Sequence, residues 1–142
     1  MAVSNFYSIN PDQDSINFGS SKARFDVRRK KITCTKIEFI KIADSRIVPD
    51  SGNIIIRKKA RIETLKNANI ITNDVTKYYK IYDAEVDINT RHDYIASGTI
   101  DYIDVNETKQ QIYFEKLQPD TTDQTHGTAS IDEDKGLSLI HI

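Results

Sequence analysis

The chain has 142 residues, 38% of them hydrophobic, and 20 Lys and Arg against 21 Asp and Glu give a net charge of −1. This length suffices for one domain whose core needs neither disulfides nor metals. The balanced charge argues against nucleic acid as a partner, and no apolar run approaches the ~20 residues of a transmembrane helix. We also expect no signal peptide in the first residues.

The β-branched residues set the fold class. The sequence contains 22 Ile, 12 Thr and 6 Val but only 4 Leu. Ile, Val and Thr favour pleated sheet, whereas Leu and Ala favour helices. We therefore predict an all-β protein of about ten short, mostly antiparallel strands. An open β-jellyroll or a stacked, elongated β array is expected rather than a closed barrel.

In chain order, residues 1–21 are polar and are predicted to be an irregular lead-in, in which one short strand is expected around Ser15–Phe18. The β domain is predicted over 22–131. It begins with the alternation of Ala23, Phe25 and Val27 with charged residues. Residues 48–53 contain Pro49 and Gly52 and predict a turn.

The second half of the chain predicts longer strands. A strand over 77–88 is followed by 94–104 and 110–117, which predict a hairpin. Gly98 within the first arm indicates a bulge or bend. A last short strand is expected at 128–131. The tail 132–142 is expected not to belong to the natural protein, with a genuine final strand over 137–142 as the alternative.

Small residues recur along the strands without a strict repeat. Ala precedes a larger apolar residue by two positions at Ala23, Ala60, Ala68 and Ala84. This recurrence fits a stacked, ribbon-like β structure, and chance recurrence in an alternating β protein explains it equally well.

A tyrosine cluster is the one region of the sequence that suggests a ligand site. Such rings stack on sugars or line a groove for an acyl chain, although tyrosine is also a common structural residue of strands. The candidate ligand-binding residues are Tyr78, Tyr79, Tyr82, Tyr94, Tyr102 and Tyr113.

No catalytic residue, metal ligand or cofactor is predicted. The acidic residues Asp83, Glu85 and Asp87 alternate along one strand, which is typical of a solvated face, although carboxylate pairs also serve glycosidases. Cys34 is alone, and the three His lack metal-ligand spacing with it or with each other. The basic run Arg28–Lys31 is interpreted as a solvated turn or edge strand.

Two resemblances add expectations. The blocks 42–72 and 77–104 resemble segments of large, β-rich, uncharacterised Bacteroidota proteins, through the Ile-x-Pro-Asp-Ser-Gly turn and the Tyr-x-x-Ser-Gly hairpin. The segments 84–86 and 96–100 resemble the OstA/LptA-like repeat of lipopolysaccharide transport. These resemblances imply a fragment of a longer β array in the periplasm or outer cell envelope. They also imply edge-to-edge pairing with neighbouring repeats or subunits.

Three functions are consistent with these observations. The first is a non-enzymatic structural or amphipath-binding β module, a scaffold that holds a molecule such as a glycolipid. The alternative is a carbohydrate-binding β-sandwich module that uses the tyrosine cluster. A polysaccharide-active β-solenoid enzyme is a more distant third.

Overall fold

The computed structural model describes the backbone of residues 4–72, 79–103, 106–133 and 136–141, and their side chains except at 79, 102, 103, 128, 130–133 and 136–141. The described part is all-β, with antiparallel strands and three 3-10 turns. The strands are β1 (Ser4–Tyr7), β2 (Asn17–Ser20), β3 (Lys22–Asp26), β4 (Lys31–Thr35), β5 (Ile40–Ile42), β6 (Ser45–Val48), β7 (Ile54–Ile56), β8 (Leu65–Thr72), β9 (Tyr79–Thr90), β10 (Asp93–Ile103), β11 (Lys109–Pro119), β12 (Thr125–Glu133) and β13 (Gly136–His141).

The strands form one large sheet and two small ones. The large sheet has eight strands in the order β13-β12-β11-β10-β9-β8-β6-β5. A three-stranded sheet has the order β3-β4-β7, and β1 pairs with β2 as a hairpin. Strands β5 and β13 are the outer strands of the large sheet, so the described part forms no closed barrel.

Isoleucine builds the core, as the composition predicts. Among the described residues, 12 of the 23 buried apolar side chains are Ile. The alternation along β9 is also observed, since Ala84, Val86 and Ile88 are buried while the acidic residues between them are exposed. The excess of Ile over Leu therefore reflects burial on pleated strands.

A line of irregular positions crosses four neighbouring strands and bends the large sheet. The pairing register shifts around Asn67 of β8, Asp83 of β9 and Gly98 of β10, and β11 has its own shift between Phe114 and Leu117. Asn67 and Asp83 have positive φ, at 55° and 51°. Bulges bend a strand and increase its twist, so this line forms a crease.

The crease folds the sheet over itself. The tip of the β5–β6 hairpin reaches the β9–β10 turn, where the Ala43 N–H donates to the Arg91 carbonyl over 2.8 Å. Ser45, at the start of β6, lies 2.9 Å from the hydroxyl of Tyr94 on β10. Strands β8 and β9 separate these two strands within the sheet.

The glycine-containing turn and hairpin predicted from sequence are both confirmed. Residues 94–104 and 110–117 correspond to the paired strands β10 and β11, whose register shifts beside Gly98. In the turn after Pro49, Gly52 has a φ of 70°, and a Cβ there would lie 3.2 Å from the Ile37 backbone nitrogen. Only glycine adopts this conformation without strain.

The structure differs from the prediction in the segment 1–21. Strand β2 overlaps the short strand expected around residues 15–18, but it pairs with β1 as a hairpin, and Ile16 and Phe18 belong to the core. Phe6 pairs with Phe18 across the hairpin, and their stacked rings lie 5.8 Å apart. Aromatic contact orders a segment whose polar composition suggests irregularity. At the other end of the chain, the backbone of 136–141 pairs with β12 as β13.

Candidate functional site

An apolar pocket of about 230 Å³ lies between the β1–β2 hairpin and the strands β4 and β7. The hairpin supplies two aromatic rings, and the strands supply branched aliphatic side chains. The large side chains of the apolar lining, which also includes Ala60, are Phe6, Ile16, Phe18, Ile32, Ile56 and Ile62. Only three of these, Ile16, Phe18 and Ile62, are buried, so the half-buried remainder of the wall presents apolar surface to the cavity.

Hydrogen bonds from one short turn hold the pocket together. The 3-10 turn Pro11–Gln13 follows Asn10, whose side chain accepts from the Asp12 N–H. Gln13 is buried, and its side-chain amide donates to the Ala60 carbonyl over 2.8 Å. The Asn10 amide donates to the Lys59 carbonyl over 2.9 Å. The β1–β2 hairpin is thereby attached to the segment after β7.

A basic segment begins at the edge of the pocket, and we call this edge the basic rim. Arg57 lines the pocket and contacts Glu63 through Nη2 at 2.8 Å, with both side chains about 40% exposed. Lys58, Lys59 and Arg61 follow it and are exposed. A guanidinium has five N–H donors, so a single carboxylate oxygen leaves donors for a second anionic group.

The basic rim is part of a charge asymmetry along the chain. Residues 1–62 contain 13 of the 20 Lys and Arg but only 6 of the 21 Asp and Glu. The N-terminal elements that build the pocket are therefore positive, whereas the later strands of the large sheet are negative. An anionic ligand is favoured on the pocket side of the molecule.

The candidate tyrosines occupy different environments. Tyr94 is fully buried, Tyr82 is half-buried on β9, and Tyr113 on β11 is 56% exposed. Tyr78 and the side chains of Tyr79 and Tyr102 lie outside the described residues. Tyr82 and Tyr113 both pair with Thr99 of β10, which places them two strands apart, about 10 Å, in one row across the sheet.

The Tyr82 side chain is held by a polar network. Its hydroxyl donates to Asp101 over 2.6 Å and accepts from the Gln111 amide over 3.0 Å, while Lys109 lies 3.1 Å from Asp101. The hydrogen bond with Asp101 raises the pKa of Tyr82. The same bond, followed by Lys109, lowers the pKa of Asp101. This arrangement fixes the ring at the sheet surface.

The Tyr94 hydroxyl belongs instead to a buried network. It lies 2.7 Å from Thr125 Oγ1 and 2.9 Å from Ser45 Oγ, and Thr125 donates to Asp44 over 2.6 Å. Burial raises the pKa of Tyr94 to about 12. Because every hydroxyl has a partner within the fold, the network has a structural role and Tyr94 is not accessible to a ligand.

Other classes of site find little support in the described part of the chain. Cys34 is buried there, and burial raises the pKa of its thiol, which disfavours the reactive thiolate. No group of three His, Cys, Asp or Glu within the described ranges is arranged to hold a metal ion. The described helical turns include none with the length and apolarity needed to cross a membrane.

Sequence reasoning missed the pocket because its residues are far apart in the chain. Phe6 and Phe18 lie in the segment predicted to be irregular, and Ile62 lies more than forty residues later. The one local signal is the pair of aromatic residues flanking the Pro11 turn, whose spacing allows a hairpin.

No protein-family model, curated protein or solved structure is significantly similar to this chain. Function is therefore inferred from the geometry and chemistry of the residues themselves.

Proposed function

We propose that the chain is a non-enzymatic β scaffold module that binds an amphipathic molecule. The apolar pocket holds one alkyl chain, and the basic rim at Arg57 holds an anionic headgroup. The supporting observation is that an apolar pocket of about 230 Å³ opens beside the Arg57 guanidinium, on the positive side of the molecule. Among the described residues, the side-chain contact of this guanidinium is with one oxygen of Glu63.

The volume of the pocket limits what it holds. It exceeds the roughly 150 Å³ of an apolar cavity that binds benzene and is smaller than the roughly 300–1,000 Å³ of sites for drug-sized ligands. A single alkyl segment fits this range, so a larger glycolipid would leave its other chains outside. Each buried methylene contributes about 0.8 kcal/mol and a charge-assisted hydrogen bond about 1.5–3 kcal/mol. A dissociation constant between ~10 µM and ~1 mM is expected.

Titration calorimetry with decyl phosphate, below its micelle concentration, tests this function. We expect saturable binding to one site. Ala60→Trp fills the pocket from a lining position and should abolish binding. Ser51→Trp is the matched control, since both residues have positive φ, 60° and 55°, in 3-10 turns and Ser51 is exposed away from the pocket. Binding that survives Ala60→Trp would overturn the proposal.

A second comparison tests the headgroup contact. Arg57→Gln should weaken decyl phosphate about tenfold, because it removes a charge-assisted hydrogen bond. Decyl glucoside has the same chain and no charge, so its affinity should stay within twofold. Equal losses for the two ligands would show that Arg57 acts on the pocket shape rather than on the anion.

Resemblance to the OstA/LptA-like repeat supports glycolipids as the ligand class and the periplasm or outer cell envelope as the location. The outer strands β3 and β5 offer unpaired edges in the described part, which suits edge-to-edge pairing with neighbouring repeats or subunits. If this edge pairs with other copies, the protein should self-associate, and Lys41→Pro on β5 should weaken the association.

Carbohydrate binding remains the second candidate, favoured by the row of Tyr82, Thr99 and Tyr113 on one sheet face. Sugar rings stack on exposed aromatic rings, and the adjacent Asp101 and Gln111 provide polar partners. A glycan array with the wild type and Tyr113→Ala tests it. Ile95→Ala, an exposed change on β10, is the control. Glycan binding unaffected by Tyr113→Ala would exclude this face.

A further inference from the structure

The β3–β4 hairpin exposes large apolar side chains at a place where the fold does not need them. Phe25 is 62% exposed, and Val27 in the following turn is 73% exposed. Exposed large apolar groups mark a contact surface when other features coincide with them.

Concentrated positive charge is the second feature of this hairpin. Residues 22–31 contain six Lys and Arg and one Asp, while the rest of the chain contains fourteen Lys and Arg and twenty Asp and Glu. Within the described residues, Arg24, Arg28 and Lys30 form no salt bridge. The only acid of the segment, Asp26, accepts from the Arg29 N–H over 3.1 Å and shapes the turn.

The two features occupy opposite faces. Along the paired strands, Phe25 and Ile32 alternate with polar residues of the opposite face. An open cleft of about 440 Å³ lies on that polar face, and it is lined by Arg24, Asp26, Arg28, Arg29, Lys31 and Thr33. Phe25 pairs directly with Ile32, which lines the apolar pocket. Apolar surface therefore continues from the hairpin to the pocket wall.

We propose that the β3–β4 hairpin docks the module end-on on an anionic lipid bilayer, so that the turn and both of its faces reach the membrane surface. Phe25 and Val27 then enter the interface on one face, and the basic side chains of the turn and of the other face contact headgroup phosphates. A bilayer matches both features, because its surface attracts cations and its interior accepts apolar groups. A soluble polyanion matches the charge but leaves Phe25 and Val27 in water. This inference extends the proposed function, since docking places the pocket beside the lipids that it would bind.

Vesicle co-sedimentation tests the docking with the full chain. We expect binding to vesicles of 30% phosphatidylglycerol in phosphatidylcholine at low salt, and at least tenfold weaker binding to phosphatidylcholine alone. The triple variant R28Q/R29Q/K30Q should lose about fivefold per cation, hence about a hundredfold. K66Q/K80Q/K116Q makes the same change in net charge at exposed sites of the large sheet and should lose less than threefold.

A second variant tests the contribution of the apolar side chains to vesicle binding. F25S/V27S leaves the charge unchanged and should weaken vesicle binding at least tenfold, while binding to heparin stays unchanged. Wild-type binding to heparin without binding to vesicles would overturn the proposal in favour of a soluble polyanion. Equal losses for the two charge variants would overturn it in favour of unspecific attraction. Ala60→Trp should keep vesicle binding, so failure of the pocket and failure of the docking are distinguishable.

Discussion

The hydroxyl of Tyr94 on β10 lies 2.9 Å from Oγ of Ser45 on β6, although two strands separate β10 from β6 in the sheet. Thr125 of β12 completes the contact at 2.7 Å from the same hydroxyl. Three strands that are not neighbours thus meet at one buried point. This contact holds the folded-over form of the large sheet.

Tyr94→Phe should destabilise the protein by about 1–3 kcal/mol. The substitution removes one hydroxyl from a buried network and leaves Ser45 and Thr125 with fewer partners. Urea unfolding followed by circular dichroism measures the change. Tyr113→Phe is the control, because Tyr113 is 56% exposed, and its unfolding free energy should change by less than about 0.5 kcal/mol. Equal effects of the two substitutions would contradict a role for the network.

Stability should fall in the alkaline range for a related reason. The pKa of Tyr94 is raised from 10.0 to about 12 in the folded protein, so the unfolded chain loses its proton first. The stabilising contribution of Tyr94 to the free energy of unfolding is complete below pH 10 and is lost as the pH rises through 12. It amounts to about 2–3 kcal/mol. Urea unfolding between pH 9 and pH 12 measures the loss, and Tyr94→Phe should make the loss smaller by this amount, while the raised pKa values of Tyr82 and Cys34 still contribute to the remainder. An unchanged profile in the variant would assign the loss to other groups.

Gly98→Ala should destabilise the protein by about 1–3 kcal/mol through overpacking at the crease. A Cβ at residue 98 would lie 2.3 Å from Cγ2 of Ile81 and 3.3 Å from the Ala84 Cβ. Ser97→Ala, one residue earlier and half-buried, is the control and should have little effect. Thermal unfolding of both variants measures these effects. An unchanged stability of Gly98→Ala would show that the crease can accommodate a methyl group.

Asp101→Asn should return the pKa of Tyr82 towards its ordinary value, since the bond to Asp101 is the largest cause of its elevation. In the converse change, Lys109→Gln should raise the pKa of Asp101, because Lys109 helps to hold it low. Carbon-detected NMR titration of the Tyr82 phenol and the Asp101 carboxyl follows both groups. A Tyr82 titration identical in wild type and Asp101→Asn would show that the bond does not persist in solution.

The sequence predicts those features of this protein that depend on neighbouring residues. The alternation of apolar and acidic residues over 84–88 predicts strand β9 and its buried face. Gly98 predicts the bend, because a glycine within a strand pattern indicates a bulge or a close approach of two backbones. The buried network joins residues 45, 94 and 125, and the pocket joins Phe6 to Ile62. Such contacts depend on the crease, which arises from bulges at Asn67 and Asp83 that no local residue pattern announces.

The abundance of isoleucine makes the pocket directly observable by NMR. Methyl labelling of Ile places probes at Ile16, Ile32, Ile56 and Ile62 on the pocket wall, and at Ile40 and Ile42 in the core of the large sheet. With decyl phosphate bound, we expect intermolecular NOEs from the alkyl chain to the four pocket methyl groups and none to Ile40 or Ile42. NOEs confined to other isoleucines, or none at saturating ligand, would contradict binding in this pocket.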